Sequence, residues 1–277
     1  MIKRFSKARG AIALVLAPAL GFLFRLFSYW ALGALFKAWN LSEAALPYAP
    51  AWAQSLVSLT DAIANCFFLI GALLPLFALT REKKRTPVKR LWIYPAFGAL
   101  LSVLTVGIFL LIGSARMPER RAFYHFTQAL VLILMEALSI VVYAYFLRRA
   151  PMHALSGKLP LLRLILSALG QAGICVLAKG FSPVSAVNAL FTGACLFILF
   201  EKTKSVLPES MLVFSFRLFT RFIFGYPDLG GAYPVSEAWL TGGNAGTADS
   251  LLLTFYLFIF IAFYIFRTHR AKGVKNV

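Results

Sequence analysis

The residues best able to support chemistry in this chain are five charged side chains inside long apolar runs. They are Arg25, Asp61, Glu136, Arg217 and Arg221. A charge at the centre of a bilayer costs about 2.5–3.5 kcal/mol on insertion scales, so such groups usually face the interior of a helix bundle and have partners. We therefore expect buried charge pairs that either fix packing or hold a substrate, a proton or an ion.

Helix geometry predicts which of these charges meet. At a rise of about 1.5 Å per residue, Glu136 lies about 18 Å from the inner end of its apolar run, and Arg217 lies about 14 Å from the inner end of its own. This similar depth predicts a pair between Glu136 and Arg217. Asp61 falls in the outer third of its run, where we expect it to pair with Arg221 or Arg25.

The usual catalytic groups of membrane-embedded hydrolases are missing from these runs. The three histidines, His125, His153 and His269, fall at the ends of the runs or between them, and no lysine lies at mid-depth. A serine nucleophile would therefore have no base. An aspartyl site needs two acids at depth, and Asp61 is the single Asp available. No metal-ligand spacing such as H-E-x-x-H occurs. We expect no bound metal and no cofactor.

The elements that must position these residues are transmembrane helices. Of the 277 residues, 60% are hydrophobic and 14% are charged, whereas soluble domains carry about 25% charged residues. This excludes a soluble enzyme, a disordered chain and a disulfide scaffold. A spanning helix needs about 20 apolar residues. The sequence predicts an all-α polytopic membrane protein, a single transmembrane domain over 1–277, with eight spans at about 11–36, 54–80, 91–115, 122–147, 160–178, 184–200, 208–225 and 250–266.

The net charge of +18 predicts the orientation of these spans. Twenty of the 28 basic residues fall in segments that would share one side of the membrane, and five fall on the other; the twenty lie within 3–9, 81–90, 148–163, 202–204 and 267–275. The positive-inside rule then places both termini in the cytoplasm, in an inner or plasma membrane. We interpret the charge as a topology signal and an attraction to membrane lipids, and we expect no nucleic-acid partner.

Residues 188–264 contain four short motifs that point to one family. They are N-A-L-F-T-G at 188–193, K-T-K-S-V-L-P at 202–208, F-G-Y-P at 224–227 and L-T-G-G-N-A-G at 240–246. This part of the chain resembles the CPBP family, the type II CAAX prenyl protease and bacteriocin-processing membrane proteins, also called abortive-infection proteins. The resemblance implies a CPBP-like core at about 122–266, preceded by additional spans at 11–115.

The resemblance also identifies the positions where the family carries its catalytic motifs, E-E-x-x-x-R, F-x-x-x-H and H-x-x-x-N. The matching positions in this chain are Glu136, Ala137 and Val141 for the first motif, Cys175 for the second, and Val213 and Arg217 for the third. Only the first glutamate is retained, and both histidines are replaced. A site with one carboxylate and no histidine is poorly suited to hold a divalent metal or to run paired acid–base chemistry. The resemblance therefore implies the fold and argues against the activity, as in a pseudoenzyme.

These observations leave three functional classes open. The favoured one is a non-catalytic CPBP-like protein that binds a membrane-embedded peptide, a lipidated protein or a partner subunit in the former active-site cavity. The second is an active intramembrane endopeptidase of the CAAX type with an altered site. The third is a small transporter or lipid-binding protein, although transporters usually show internal repeats or broken helices.

Overall fold

The computed structural model describes residues 2–39, 50–80, 90–111, 115–116, 126–155, 160–179, 181–223, 233–234 and 253–260. These residues are almost entirely helical. The α-helices are α1 (Ile2–Ala38), α2 (Ala51–Ser58), α3 (Thr60–Thr80), α4 (Ile93–Leu111), α5 (Phe126–Ala144), α6 (Ala150–Ala154), α7 (Pro160–Lys179), α8 (Pro183–Thr203) and α9 (Val206–Arg217). Two π-helical turns, Tyr145–Arg149 and Leu218–Ile223, continue α5 and α9, and residues 253–260 are also helical.

Six helical segments of the described chain are long and apolar enough to cross a membrane. They are Ala8–Ala38, Thr60–Thr80, Ile93–Leu111, Leu130–Ala154, Pro160–Leu177 and Pro183–Thr203. The prediction of an all-α, multi-pass membrane protein is confirmed at this level. The seventh predicted span corresponds to α9 and its π-turn, and 253–260 is the described part of the eighth. The number eight and the cytoplasmic termini stay predictions.

Several helix boundaries differ from the predicted spans. The predicted span 54–80 is divided into α2 and α3, because the chain turns at Leu59 and the hydroxyl of Thr60 donates to the carbonyl of Val57 at 2.7 Å. Asp61 therefore lies in the first turn of α3 rather than in the outer third of a longer span. A carboxylate at that position interacts favourably with the helix dipole. The sixth span, predicted to be short, has 21 residues in α8.

A second correction concerns Arg148 and Arg149, which the sequence places in a loop between spans. Both lie in the π-turn that joins α5 to α6, and both are buried, at 2% and 6% exposure. The helical path consequently runs from Phe126 to Ala154. Apolar periodicity could not detect this continuation, because two adjacent arginines normally indicate the end of a span.

One compact unit comprises residues 1–89 and 123–158. In it α1 packs along α3 and against α6, and α3 also packs against α5. Its core is built from small and branched side chains, namely Ala13, Ala17, Leu69, Ala72, Leu76, Val142 and Ala150. Gly71 permits the close approach of α1 and α3, because a Cβ there would lie 2.7 Å from the carbonyl oxygen of Leu20.

The other compact unit comprises residues 90–122 and 159–277. In it α7 packs against α8, and α4 packs against α9. The hydroxyl of Ser215 on α9 donates to the carbonyl of Pro95 on α4 at 2.7 Å. A two-residue strand, β1 (Ala115–Arg116), pairs antiparallel with β2 (Tyr233–Pro234). The predicted division into spans 11–115 and a core at 122–266 stays a prediction. Each of the two compact units combines segments that are distant in sequence.

Candidate functional site

Glu136 lies near the middle of α5 and is 5% exposed. Its neighbours one and two turns further along the helix, Ile140 and Ala144, are also buried. The carboxyl group is thus on the helix face that contacts protein, as expected for a charge inside a span. The two other positions of the first family motif, Ala137 and Val141, lie on the same helix and are half-buried.

Cys175 takes part in a contact within the α7–α8 pair. Its Sγ atom lies 3.3 Å from the Oγ atom of Ser185, in the first turn of α8. The preceding N-cap residue, Ser182, accepts a hydrogen bond from the backbone N–H of Ser185 at 3.4 Å. Cys175 is half-buried, and all three cysteines are free, with Cys66 and Cys195 buried. A serine hydroxyl is not the base that a reactive thiol needs.

Val213 and Arg217 are one helical turn apart on α9, and both are half-buried. Residues separated by four positions share a helix face, so a ligand that reached one would reach the other. Arg217 is the last residue of α9 before the π-turn. The hydroxyl of Thr220 donates to the carbonyl of Phe216 at 2.9 Å. π-Turns of this kind are frequent at functional sites.

The six family positions are divided between the two units. Glu136, Ala137 and Val141 belong to the first, whereas Cys175, Val213 and Arg217 belong to the second. The predicted ion pair between Glu136 and Arg217 stays a prediction.

Asp61 belongs to a network that the sequence predicted only in part. The hydroxyl of Tyr29 donates to the Oδ1 atom of Asp61 at 2.5 Å and accepts a hydrogen bond from the Nη2 atom of Arg25 at 3.2 Å. The Arg25 guanidinium also lies 5.6 Å from the centre of the Tyr29 ring. Asp61 is exposed. Tyr29 thus bridges Arg25 and Asp61, whereas the side chain of Arg221, the other predicted partner, lies outside the described residues.

Sequence reasoning did not predict the burial of two polar residues of the second unit. Glu209, in the first turn of α9, is 1% exposed, and Asn188 of α8 is equally buried. The side-chain carbonyl of Asn188 accepts a hydrogen bond from the hydroxyl of Thr254 at 2.5 Å. The signal for Glu209 was present, since it directly follows the K-T-K-S-V-L-P motif. It was overlooked because it lies at the edge of a span.

Arg149 is a further polar residue with a role that the sequence did not indicate. Its Nε atom donates to the backbone carbonyl of Thr80 at 3.2 Å. Thr80 is the last residue of α3, whose terminal carbonyls have no partner within the helix. The Arg149 guanidinium therefore supplies a hydrogen-bond donor to a terminal carbonyl of α3. Arg149 itself lies in the π-turn that follows α5.

Within the part of the chain that the structure describes, no group of three or more His, Cys, Asp or Glu residues could hold a metal ion. His153 is half-buried in α6, and the other two histidines lie outside the described residues. What the geometry offers is a buried carboxylate inside a candidate span, which can accept hydrogen bonds or bind a cationic group. Comparison with protein-family models, with curated proteins and with solved structures finds no match to this chain.

Proposed function

We propose that this chain is a non-catalytic membrane protein that binds a membrane-embedded peptide, a lipidated protein segment or a partner subunit at the site of Glu136, and that it is a degenerate relative of the CPBP family. The observation that carries the proposal is the burial of Glu136 inside the candidate span Leu130–Ala154. An ionisable residue inside a membrane helix is costly, and such residues commonly mark substrate, ion or proton pathways in membrane proteins.

The residues at the other family positions favour binding over hydrolysis. Ala137, Val141 and Val213 are apolar, and Cys175 contacts a serine hydroxyl rather than a base. Peptide hydrolysis requires a positioned acid and base or a metal-activated water. A carboxylate on a helix that also carries Ala137 and Val141 instead suits an apolar ligand with a few hydrogen-bond donors, such as the backbone of a peptide helix end or a lipidated segment.

The proposal includes a topology of eight spans in an inner or plasma membrane, with both termini in the cytoplasm. The distribution of basic residues supports it, because twenty of the 28 would lie on the cytoplasmic side. The exposed Lys37 at the end of α1 would then lie outside, and the exposed Lys202 at the end of α8 would lie inside.

Binding of a fluorescent farnesylated peptide to the purified protein in nanodiscs tests the proposal. We expect saturable binding by fluorescence anisotropy and an intact peptide by mass spectrometry. Glu136→Gln should weaken binding roughly tenfold or more, because a hydrogen bond to a charged group contributes about 1.5–3 kcal/mol. Asp61→Asn is the matched control, since it removes an exposed carboxylate from the same unit.

Three results would contradict the proposal. Cleavage of the peptide would support the altered endopeptidase instead. Equal losses of peptide affinity in Glu136→Gln and Asp61→Asn would show that the change in net charge causes the effect, whichever carboxylate is removed. Absence of saturable binding in the unmodified protein would contradict the proposed binding function.

A further inference from the structure

A cluster of three cations lies where α7 begins and α8 ends. We define it as the basic cluster, consisting of Arg163, Lys202 and Lys204. The Nη1 atom of Arg163 on α7 lies 3.2 Å from one carboxylate oxygen of Glu201 on α8, and Lys204 forms an ion pair with the other oxygen. One carboxylate thus holds cations from two segments together. Lys202 directly follows Glu201 in the sequence and is exposed, and the four residues together carry a formal charge of +2.

The chain fixes the position of Lys204 through its backbone. Lys204 has a left-handed conformation with φ of 53°, and its N–H donates to the carbonyl of Phe200 at 2.7 Å. The hydroxyl of Thr203 donates to the carbonyls of Leu199 and Ser205 at 3.0 and 3.1 Å. This turn ends α8 and begins α9. Lys204 is therefore held at the helix end rather than on a freely moving loop.

The basic cluster adjoins an apolar surface. The Pro160–Leu177 segment is the least buried of the six candidate spans, with 11% of its most apolar window buried. Its first turns expose a set of large apolar side chains, namely Leu161, Leu162, Ile165, Leu166 and Leu169. Arg163 lies among them in sequence, at the end of the helix. A molecule that touches both features needs a compact anionic group and a long apolar part.

We propose that the basic cluster binds the phosphodiester of an anionic membrane phospholipid, whose acyl chains lie along the exposed apolar residues of α7. The charges are of opposite sign, since one phosphodiester carries a single negative charge, whereas the basic cluster and Glu201 together carry a formal charge of +2. Arg163 suits this role because a planar guanidinium with five N–H donors can bind phosphate and carboxylate oxygens together. This inference is independent of the function proposed for Glu136.

Quenching by brominated lipids tests this site directly. Leu162→Trp, in a chain whose own tryptophans are replaced by phenylalanine, reports on lipids next to the cluster. We expect brominated phosphatidylglycerol to quench this tryptophan more strongly than brominated phosphatidylcholine, and the preference to fall as salt is raised. Lys202→Gln should reduce the preference about fivefold, and Lys202→Gln with Lys204→Gln roughly 30-fold, from the usual attraction of one basic residue to an anionic membrane surface.

Arg9→Gln is the control, because it removes one exposed cation from the other unit with the same change in net charge. Equal quenching by the two lipids would overturn the proposal, as would an equal loss of preference in Arg9→Gln and Lys202→Gln. Displacement of phosphatidylglycerol by inorganic phosphate or by glycerophosphoglycerol would identify a site for a soluble phosphate instead. Native mass spectrometry of the chain with its own tryptophans should show one retained phosphatidylglycerol that Lys202→Gln weakens, and its absence would equally contradict the site.

Discussion

The contact between α4 and α9 should tolerate no side chain at Gly98. A Cβ at this position would lie 3.1 Å from the backbone nitrogen of Phe216 and still closer to the carbonyl oxygen of Leu212. Both neighbours are backbone atoms, so no side-chain rotation can relieve the clash, and the two helices would have to separate. Gly107, on the same helix, has no atom within 4 Å of the corresponding Cβ position. Gly98→Ala and Gly107→Ala therefore form a matched pair.

The magnitude of this effect can be estimated from the two environments. Alanine is favoured over glycine inside a helix by about 1 kcal/mol, and this gain applies to both variants. Overpacking costs about 1–3 kcal/mol, and separation of the helices would also weaken the hydrogen bond from Ser215 to Pro95, at about 0.6 kcal/mol in a membrane protein. Since the propensity gain cancels in the comparison, Gly98→Ala should be less stable than Gly107→Ala by about 1.5–3.5 kcal/mol.

Unfolding by SDS in mixed micelles, followed by circular dichroism, measures this difference. Gly107→Ala should equal or exceed the unmodified protein in stability, and Gly98→Ala should unfold at a lower SDS fraction. Equal stability of the two variants would refute the close contact between α4 and α9. A second check is Ser215→Ala, which should cost about 0.6 kcal/mol alone and less in the Gly98→Ala background, because separated helices have already lost that bond.

Three further predictions concern the first unit and the topology. Tyr29→Phe removes both hydrogen bonds of the bridging hydroxyl and should cost about 1 kcal/mol in the same SDS assay; an unchanged stability would contradict the network. Arg149→Met removes the buried donor to the end of α3 and should cost about 1.5–3 kcal/mol, whereas Arg9→Met at an exposed site should cost little, and equal effects would argue against the cap. In intact cells an impermeant thiol reagent should label Lys37→Cys but not Lys202→Cys, and labelling of both from outside would exclude the eight-span topology.

The distribution of apolar and charged residues was sufficient to predict most of the helices. A membrane span must satisfy its backbone hydrogen bonds internally and present apolar side chains to lipid, so length and hydropathy alone identify it. This is why α4, α7 and α8 begin close to their predicted positions. The prediction was weaker where a polar residue is buried in protein. Arg148 and Arg149 extend a helix past its predicted end, and Glu209 went unnoticed at the edge of a span.

The candidate site was predictable in its residues but not in its partners. The sequence identified Glu136 as a charge that must face protein, because lipid exposure of a carboxylate is costly, and the structure places it in a buried position. It also identified Asp61 and Arg25 as residues that need partners. It did not identify Tyr29, because a tyrosine in an apolar run is unremarkable until a second helix brings a carboxylate to its hydroxyl.

The sequence by itself determined that this chain is helical, apolar and basic, since these properties depend on composition and local periodicity. Only the tertiary structure decided which helices share a unit and which polar groups meet. Close packing at Gly71 and Gly98 depends on neighbours that are distant in the chain. The same holds for the cap that Arg149 provides for Thr80 and for the ion pair of Arg163 with Glu201. The physical reason is that hydropathy acts residue by residue along the helix, whereas contacts between helices require two surfaces whose shapes and hydrogen-bonding groups match in three dimensions.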